Sequence, residues 1–127
     1  MWLINIKLMK LEEFIPPHLP PYAILSHTWG SDEVTFQEFG NLESAKKKTG
    51  FDKVQRSCEL ASAKMLTYVW VDTCCIDKSS SAELSKAINS MFEWYKQSTV
   101  CFAYLSDLAV STLPTLWRDK EQQLVCR

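Results

Sequence analysis

The sequence has no excess of either charge. Lys and Arg number 14 against 15 Asp and Glu, a formal net charge of −1, so it lacks the basic balance of a nucleic-acid footprint. Its one basic run, Lys46-Lys47-Lys48, is too short to supply that footprint and reads as a solvated loop or helix end. No apolar run approaches the ~18 residues of a membrane span. The first residues, Met1-Trp2-Leu3-Ile4-Asn5-Ile6-Lys7, lack a charged segment followed by a long apolar core, which argues against a signal peptide. The expected location is therefore the cytoplasm. Regular cysteine spacing is missing too. Cys58, Cys74, Cys75, Cys101 and Cys126 make an odd set, Cys74 and Cys75 are adjacent, and no CxxC pair occurs. Reduced thiols, several buried as small hydrophobes, are expected. Cysteines and histidines also lack zinc-ligand spacing, so no metal and no resident cofactor are expected. There is no internal repeat.

What is present is a core. A chain of 127 residues, 46% hydrophobic and 12% aromatic, suits one globular domain. Its most informative stretch is Tyr68-Val69-Trp70-Val71-Asp72-Thr73-Cys74-Cys75-Ile76-Asp77-Lys78. An apolar, β-branched and aromatic run turns abruptly polar, the pattern of a buried strand that empties into a surface crevice. Before it, residues 2–8 alternate, with Trp2, Ile4, Ile6 and Leu8 on one side, and predict an edge strand or hairpin with residues 11–14. Residues 15–21 carry four prolines and His18, and form an extended surface connector. Residues 22–27 predict the first core strand, which Gly30 lets turn. Residues 34–39 are ambiguous, and residues 41–50 are polar.

From Phe51 the period changes. Phe51, Val54, Cys58, Ala61 and Met65 place one apolar stripe on a helix of about four turns, with Lys53, Gln55, Arg56 and Glu59 on the wet side. A strand over 67–73 follows. Ser80 and Glu83 fit a capping box for a helix whose apolar face is Leu84, Ala87, Ile88, Met91 and Tyr95, widened by Phe92 and Trp94. Residues 100–105 predict another buried strand, ending at Ser106 and Asp107. Helices between apolar strands argue a mostly parallel sheet with right-handed crossovers, whose sites lie beyond the strands' carboxyl ends. Three such ends then share one rim: Ser26, His27, Trp29 and Gly30; Asp72, Thr73, Cys75 and Asp77; Ser106 and Asp107.

That rim offers several chemistries, each beside an ordinary explanation. Asp72, Asp77 and Glu83 suit acid–base or electrostatic work, yet Asp72 would equally serve by accepting backbone N–H bonds and Glu83 by capping its own helix. Cys75 and His27 suit a nucleophile–base pair on placement alone, though Cys75 lies short of a helix N-terminus that would activate it. Trp29 is either packing or an aromatic wall for a base or ring.

Tyr22-Ala23-Ile24-Leu25-Ser26-His27-Thr28-Trp29-Gly30, Glu33-Val34-Thr35-Phe36-Gln37, the 68–78 stretch, Ser79 to Ile88, Met91-Phe92-Glu93-Trp94-Tyr95 and Cys101-Phe102-Ala103-Tyr104-Leu105-Ser106-Asp107 closely resemble the fungal heterokaryon incompatibility (HET) domain. The resemblance covers residues 1–107 and leaves 108–127 as a divergent or poorly ordered tail. It implies a cytoplasmic module of fungal self/non-self recognition and programmed cell death that works by self-association or with related incompatibility-domain proteins. That family is distantly similar to Toll/interleukin-1 receptor (TIR) domains, which implies a flavodoxin-like three-layer α/β fold. It also implies an alternative in which NAD is a substrate, a nucleotide ligand cleaved with Glu83 as catalytic carboxylate and Ser26, His27, Trp29, Gly30, Asp72, Cys75 and Asp77 lining the pocket. The family pattern continues to a Trp/Arg-rich segment ending in Gln-Glu. Here Trp117-Arg118-Asp119-Lys120 stands instead, so a truncated, inactive remnant or regulator is the remaining alternative.

Overall fold

A computed structural model of the chain describes residues 1–104 and the strand over 123–125. Two strands open it, β1 (Trp2–Asn5) and β2 (Lys10–Glu13), followed by β3 (Tyr22–His27). Two short helices, α1 (Phe36–Phe39) and α2 (Leu42–Ala45), lead to α3 (Phe51–Ala63) and β4 (Tyr68–Val71). Then come α4 (Ser81–Gln97), β5 (Val100–Tyr104) and β6 (Gln123–Val125). The class is α/β, and the six strands form one sheet in the order β2-β1-β4-β3-β5-β6.

The expectation of a mostly parallel sheet is corrected. Only β3–β4 and β3–β5 are parallel, whereas β1–β2, β1–β4 and β5–β6 are antiparallel. The parallel strands are the ones joined through α3 and α4, since a parallel pair needs a long crossover and a hairpin does not. The N-terminal hairpin forms as expected, with β2 rather than β1 at the edge. The alternation over residues 2–8 stops early because Asn5, read as a wet residue, is buried and ends the strand. Its Oδ1 accepts from the backbone N–H groups of Lys7 and Leu8, and its Nδ2 donates to Glu12 Oε1 at 2.7 Å.

The core lies on β3 and β4. Ala23, Ile24, Leu25, Val69, Trp70 and Val71 are each fully shielded, as expected of strands covered on both faces. Removing one Leu, Ile or Val side chain from water is worth roughly 1.5–3 kcal/mol. Trp70 meets Trp94 and Tyr95 of α4 edge-on. From β3 the chain crosses to β4 on one side, then returns past β3 to β5 on the other, so strand order reverses at β3. Since β4 and β5 both run parallel to β3, the expected ends of β3 and β4 do share one rim, whereas the third expected cluster, Ser106 and Asp107, lies outside the described residues.

Several local expectations changed. The ambiguous 34–39 stretch is a helix start: Thr35 caps α1 and Glu38 completes a capping box. Lys53 was placed on the wet side of α3 but is buried, and Met65, placed in the apolar stripe, is 91% exposed. Met65 adopts φ 65° just past the end of α3. Its N–H bonds Ser62 O and that of Leu66 bonds Ala61 O, a Schellman ending in which methionine holds the left-handed position usual for glycine. On α4, Ala87 and Trp94 are buried, while Ile88 and Phe92, expected in the covered arc, are exposed. Leu105, Ser106, Asp107 and most of the 108–127 stretch lie outside the described residues.

Candidate functional site

Asp72 follows β4 directly, where the chain leaves the sheet beside the end of β3. Among the described residues its carboxylate accepts no backbone N–H but ties two side chains of the neighbouring strand end. Oδ1 lies 2.7 Å from His27 Nε2, and Oδ2 accepts from Trp29 Nε1 at 2.9 Å. The backbone carbonyl of Asp72 accepts from Lys78 Nζ at 3.0 Å, and that ammonium sits 4.4 Å above the Trp29 ring. One residue thus fixes His27, Trp29 and Lys78. The imidazole is almost wholly buried, with 1% of the side chain exposed, and among the described residues its Nδ1 has no hydrogen-bond partner. Burial alone would raise the Asp72 pKa, but hydrogen bonding and charge from His27, with help from Trp29 and Lys78, hold it below the usual carboxylate value.

Asp77 and Glu83 belong to the turn that starts α4. Ser79 donates to Asp77 Oδ1 through both its hydroxyl and its backbone N–H, and Gln37 Nε2 donates to the same oxygen at 2.8 Å. The Ser79 hydroxyl is the main reason the Asp77 pKa is lowered. Ser80 caps α4 by accepting from the Glu83 N–H. The Glu83 carboxylate reaches past the cap residue and accepts from the Asp77 N–H at 3.2 Å, so only half of the expected capping box forms. Glu83 also lines a cavity of ≈330 Å³ with Ser80, Lys86 and Cys75.

Cys75 is 2% exposed, and its sulfur accepts from the Val71 N–H at 3.3 Å. Among the described residues no hydrogen bond joins it to His27. Cys58, Cys74 and Cys101 are likewise buried. Burial pushes Cys58 up to about 12, and a hydrogen bond to Cys75 together with burial raises Cys74. The Cys58 and Cys74 thiols are therefore held protonated, the state in which cysteine is a poor nucleophile and metal ligand. Among the described residues no group of three His, Cys, Asp or Glu side chains could hold a metal ion.

A second crevice, ≈310 Å³, opens on the other side of the β3 end, between that strand and Tyr104 of β5. Here the sequence reading missed a buried ion pair. Lys53 Nζ lies 2.6 Å from Glu33 Oε2 and donates to Thr28 O at 3.0 Å. The same Glu33 oxygen accepts from the Gly30 N–H. Gly50 makes the close approach possible: a Cβ there would stand 2.6 Å from Glu33 Oε1 and 2.9 Å from Asp32 O. No local pattern marked Lys53 as buried; Ser57 one turn later is buried as well, and its hydroxyl donates to Lys53 O. The rim is thus divided. Trp29, His27 and Asp72 lie on the β4 side, Gly30 faces the β5-side crevice, and Ser26 pairs with Ala103 in the β3–β5 ladder.

The family described as "Heterokaryon incompatibility protein (HET)" matches residues 22–124, a span that holds every rim residue named above. The chain belongs to this family. Over 93 residues the HET domain is 47% identical to "Vegetative incompatibility protein HET-E-1" of Podospora anserina, a match that covers 72% of this chain and 7% of that protein. The chain therefore spans under a tenth of the length of this relative. The family match runs past residue 107 into the stretch that sequence reading set apart as a tail. No solved structure matches this chain.

Proposed function

We propose that the HET domain is a cytoplasmic signalling module of fungal heterokaryon incompatibility, which sets off programmed cell death by assembling with further copies of itself or with related incompatibility-domain proteins. The observation that carries this reading is the 47% identity over 93 residues to a vegetative incompatibility protein. Among the described residues no helix is long and apolar enough to cross a membrane, which agrees with a module acting in the cell interior. The test is inducible expression in a fungal host, scored by colony recovery. The reading expects loss of viability on induction. Full recovery at confirmed protein abundance would instead favour an inactive remnant or a regulator of longer relatives.

The finer fold reading is a flavodoxin-like, TIR-like three-layer arrangement. It is supported by the order β4-β3-β5, which is the order of the first three strands in flavodoxin-like sheets. Right-handed crossovers that run in opposite directions across the sheet, from β3 to β4 and from β4 to β5, would set α3 and α4 on opposite faces.

A second reading is NAD cleavage, favoured by the placement of Glu83 in a cavity beside the strand-end rim. Its carboxylate would stabilise the ribosyl cation as the bond to nicotinamide breaks and water takes its place. Purified protein incubated with NAD should then release nicotinamide, and Glu83→Gln should not. Equal release by wild type and Glu83→Gln would remove this role.

A further inference from the structure

Gln37 closes the Glu33-Val34-Thr35-Phe36-Gln37 stretch and reaches across 40 residues to the turn that starts α4. Its Nε2 donates to Asp77 Oδ1 at 2.8 Å and to the Ser79 hydroxyl oxygen at 3.4 Å. The donor is held in place from its own side. α1 is a single turn, too short to persist alone. The Thr35–Glu38 capping box fixes its start, and Lys48 Nζ ties Glu38 to Asp32 at 2.9 and 3.2 Å. Phe39 is buried, and Phe36 meets Trp2 of β1 edge-on at 5.2 Å. On the far side, Asp77 connects Gln37 to Glu83. Its carboxylate takes the Gln37 amide, and its backbone N–H donates to Glu83 Oε1 at 3.2 Å. The other bonds to the Asp77 carboxylate come from Ser79, two residues on, and move with the turn. Among the described residues Gln37 is thus the side chain of another element that anchors this aspartate. Glu83 Oε2 takes no hydrogen bond from the described residues and remains available to a ligand of the cavity that Glu83 lines.

We infer that Gln37 is a positioning residue for Glu83: it holds Asp77 from α1 and so sets the N–H that orients the Glu83 carboxylate. This rests on the NAD-cleavage reading above and adds the group that aims its carboxylate. Neither Gln37 nor Asp77 lines the Glu83 cavity, so loss of the Gln37 amide leaves substrate binding alone and acts on the reacting geometry. Ser80 already caps α4, so the helix start does not depend on the Gln37–Asp77 bond. A hydrogen bond onto a carboxylate is stronger than a neutral one. Among the described residues no cation stands ready to replace it, since Lys78 Nζ donates to Asp72 O and covers Trp29 instead.

The experiment compares wild type, Gln37→Met, which keeps the length of the side chain without its donor, and Gln37→Lys, which keeps a donor for Asp77. Nicotinamide release from NAD gives kcat and KM, and carbon NMR of the Glu83 carboxyl reads its surroundings without NAD. Gln37→Met should lower kcat roughly ten- to hundredfold with KM unchanged, the scale of a slightly misplaced group. Its thermal midpoint should stay within about 2 °C of wild type, because the site is on the surface. The Glu83 carboxyl signal should move in Gln37→Met, and Gln37→Lys should bring both signal and kcat back toward wild type. A wild-type kcat in Gln37→Met, or an unmoved Glu83 signal, would overturn the assignment. So would a joint fall of kcat and thermal midpoint that Gln37→Lys does not restore, since that marks a merely structural role. A wild type that releases no nicotinamide would overturn the NAD reading and with it the role of Gln37 in that reaction, whether or not the Glu83 signal still answers to Gln37.

Discussion

Replacing Asp72 by alanine should unfasten the rim, and the size of the effect follows from what the carboxylate holds. Among the described residues His27 Nδ1 already lacks a partner, so removing Asp72 leaves a buried imidazole with no hydrogen bond to them on either nitrogen. An unsatisfied buried polar group costs about 1–3 kcal/mol, and a lost bond to a charged acceptor adds to that. Trp29 contributes less, since its exposed N–H can turn to water. A loss of about 2–4 kcal/mol is therefore expected, which for a domain of this size corresponds to a fall of roughly 8–15 °C in the thermal midpoint. Asp72→Asn keeps an acceptor for one of the two neighbours and should lose about half as much.

The pH dependence has a definite sign. The Asp72 pKa is depressed on folding, against the effect of burial, chiefly by His27. Its stabilisation is thus present above the unfolded carboxylate value of about 3.9 and is lost as pH falls through the lower folded value. Thermal melts of wild type and Asp72→Ala followed by circular dichroism should show the full gap near neutral pH and a narrowing gap in acid. A gap below about 2 °C at neutral pH, or one that widens in acid, would refute the argument.

Three further outcomes follow from the packing. Lys53→Met should cost about 3–5 kcal/mol by leaving the Glu33 carboxylate buried and unpaired, whereas Lys53→Met with Glu33→Leu should recover most of it in urea denaturation. Met65→Gly should raise stability by about 0.5 kcal/mol, since relief of a left-handed methionine, worth about 1–2 kcal/mol, outweighs the extra entropy of glycine, about 0.5–1 kcal/mol; a thermal midpoint at or below wild type would contradict it. Cys58, whose thiol is pushed up to about 12 by burial, should react with iodoacetamide at pH 8 only as fast as the domain opens, and mass spectrometry of labelled peptides would expose any faster modification.

Much of the rim was legible because periodicity and strand ends are local signals. The run from Tyr68 to Val71 followed by Asp72 marked a buried strand and its outlet, and residues 22–27 marked its partner. The resemblance of these same stretches to the HET family agrees with the family match. What could not be read locally depends on partners distant in sequence. The strand sense of β1 and β6 follows from which neighbours they meet, and alternation alone does not encode that. The Asp72 carboxylate suited backbone N–H groups as well as side chains, and only the fold brings His27 and Trp29 to it across 45 and 43 residues. Lys53 defeated the usual rule that lysine stays wet because a carboxylate and a carbonyl meet it inside. Ile88 and Phe92 defeated the opposite rule, for they carry the helical period of a core face and still point outward.

The most direct test of the claim that incompatibility signalling runs through this rim is survival of fungal cells expressing wild type or Trp29→Ala at matched abundance. Trp29 is exposed, so its loss should leave the fold intact while removing the surface that Asp72 and Lys78 hold in place. Wild type should kill and Trp29→Ala should permit growth. Equal killing by both would contradict the account.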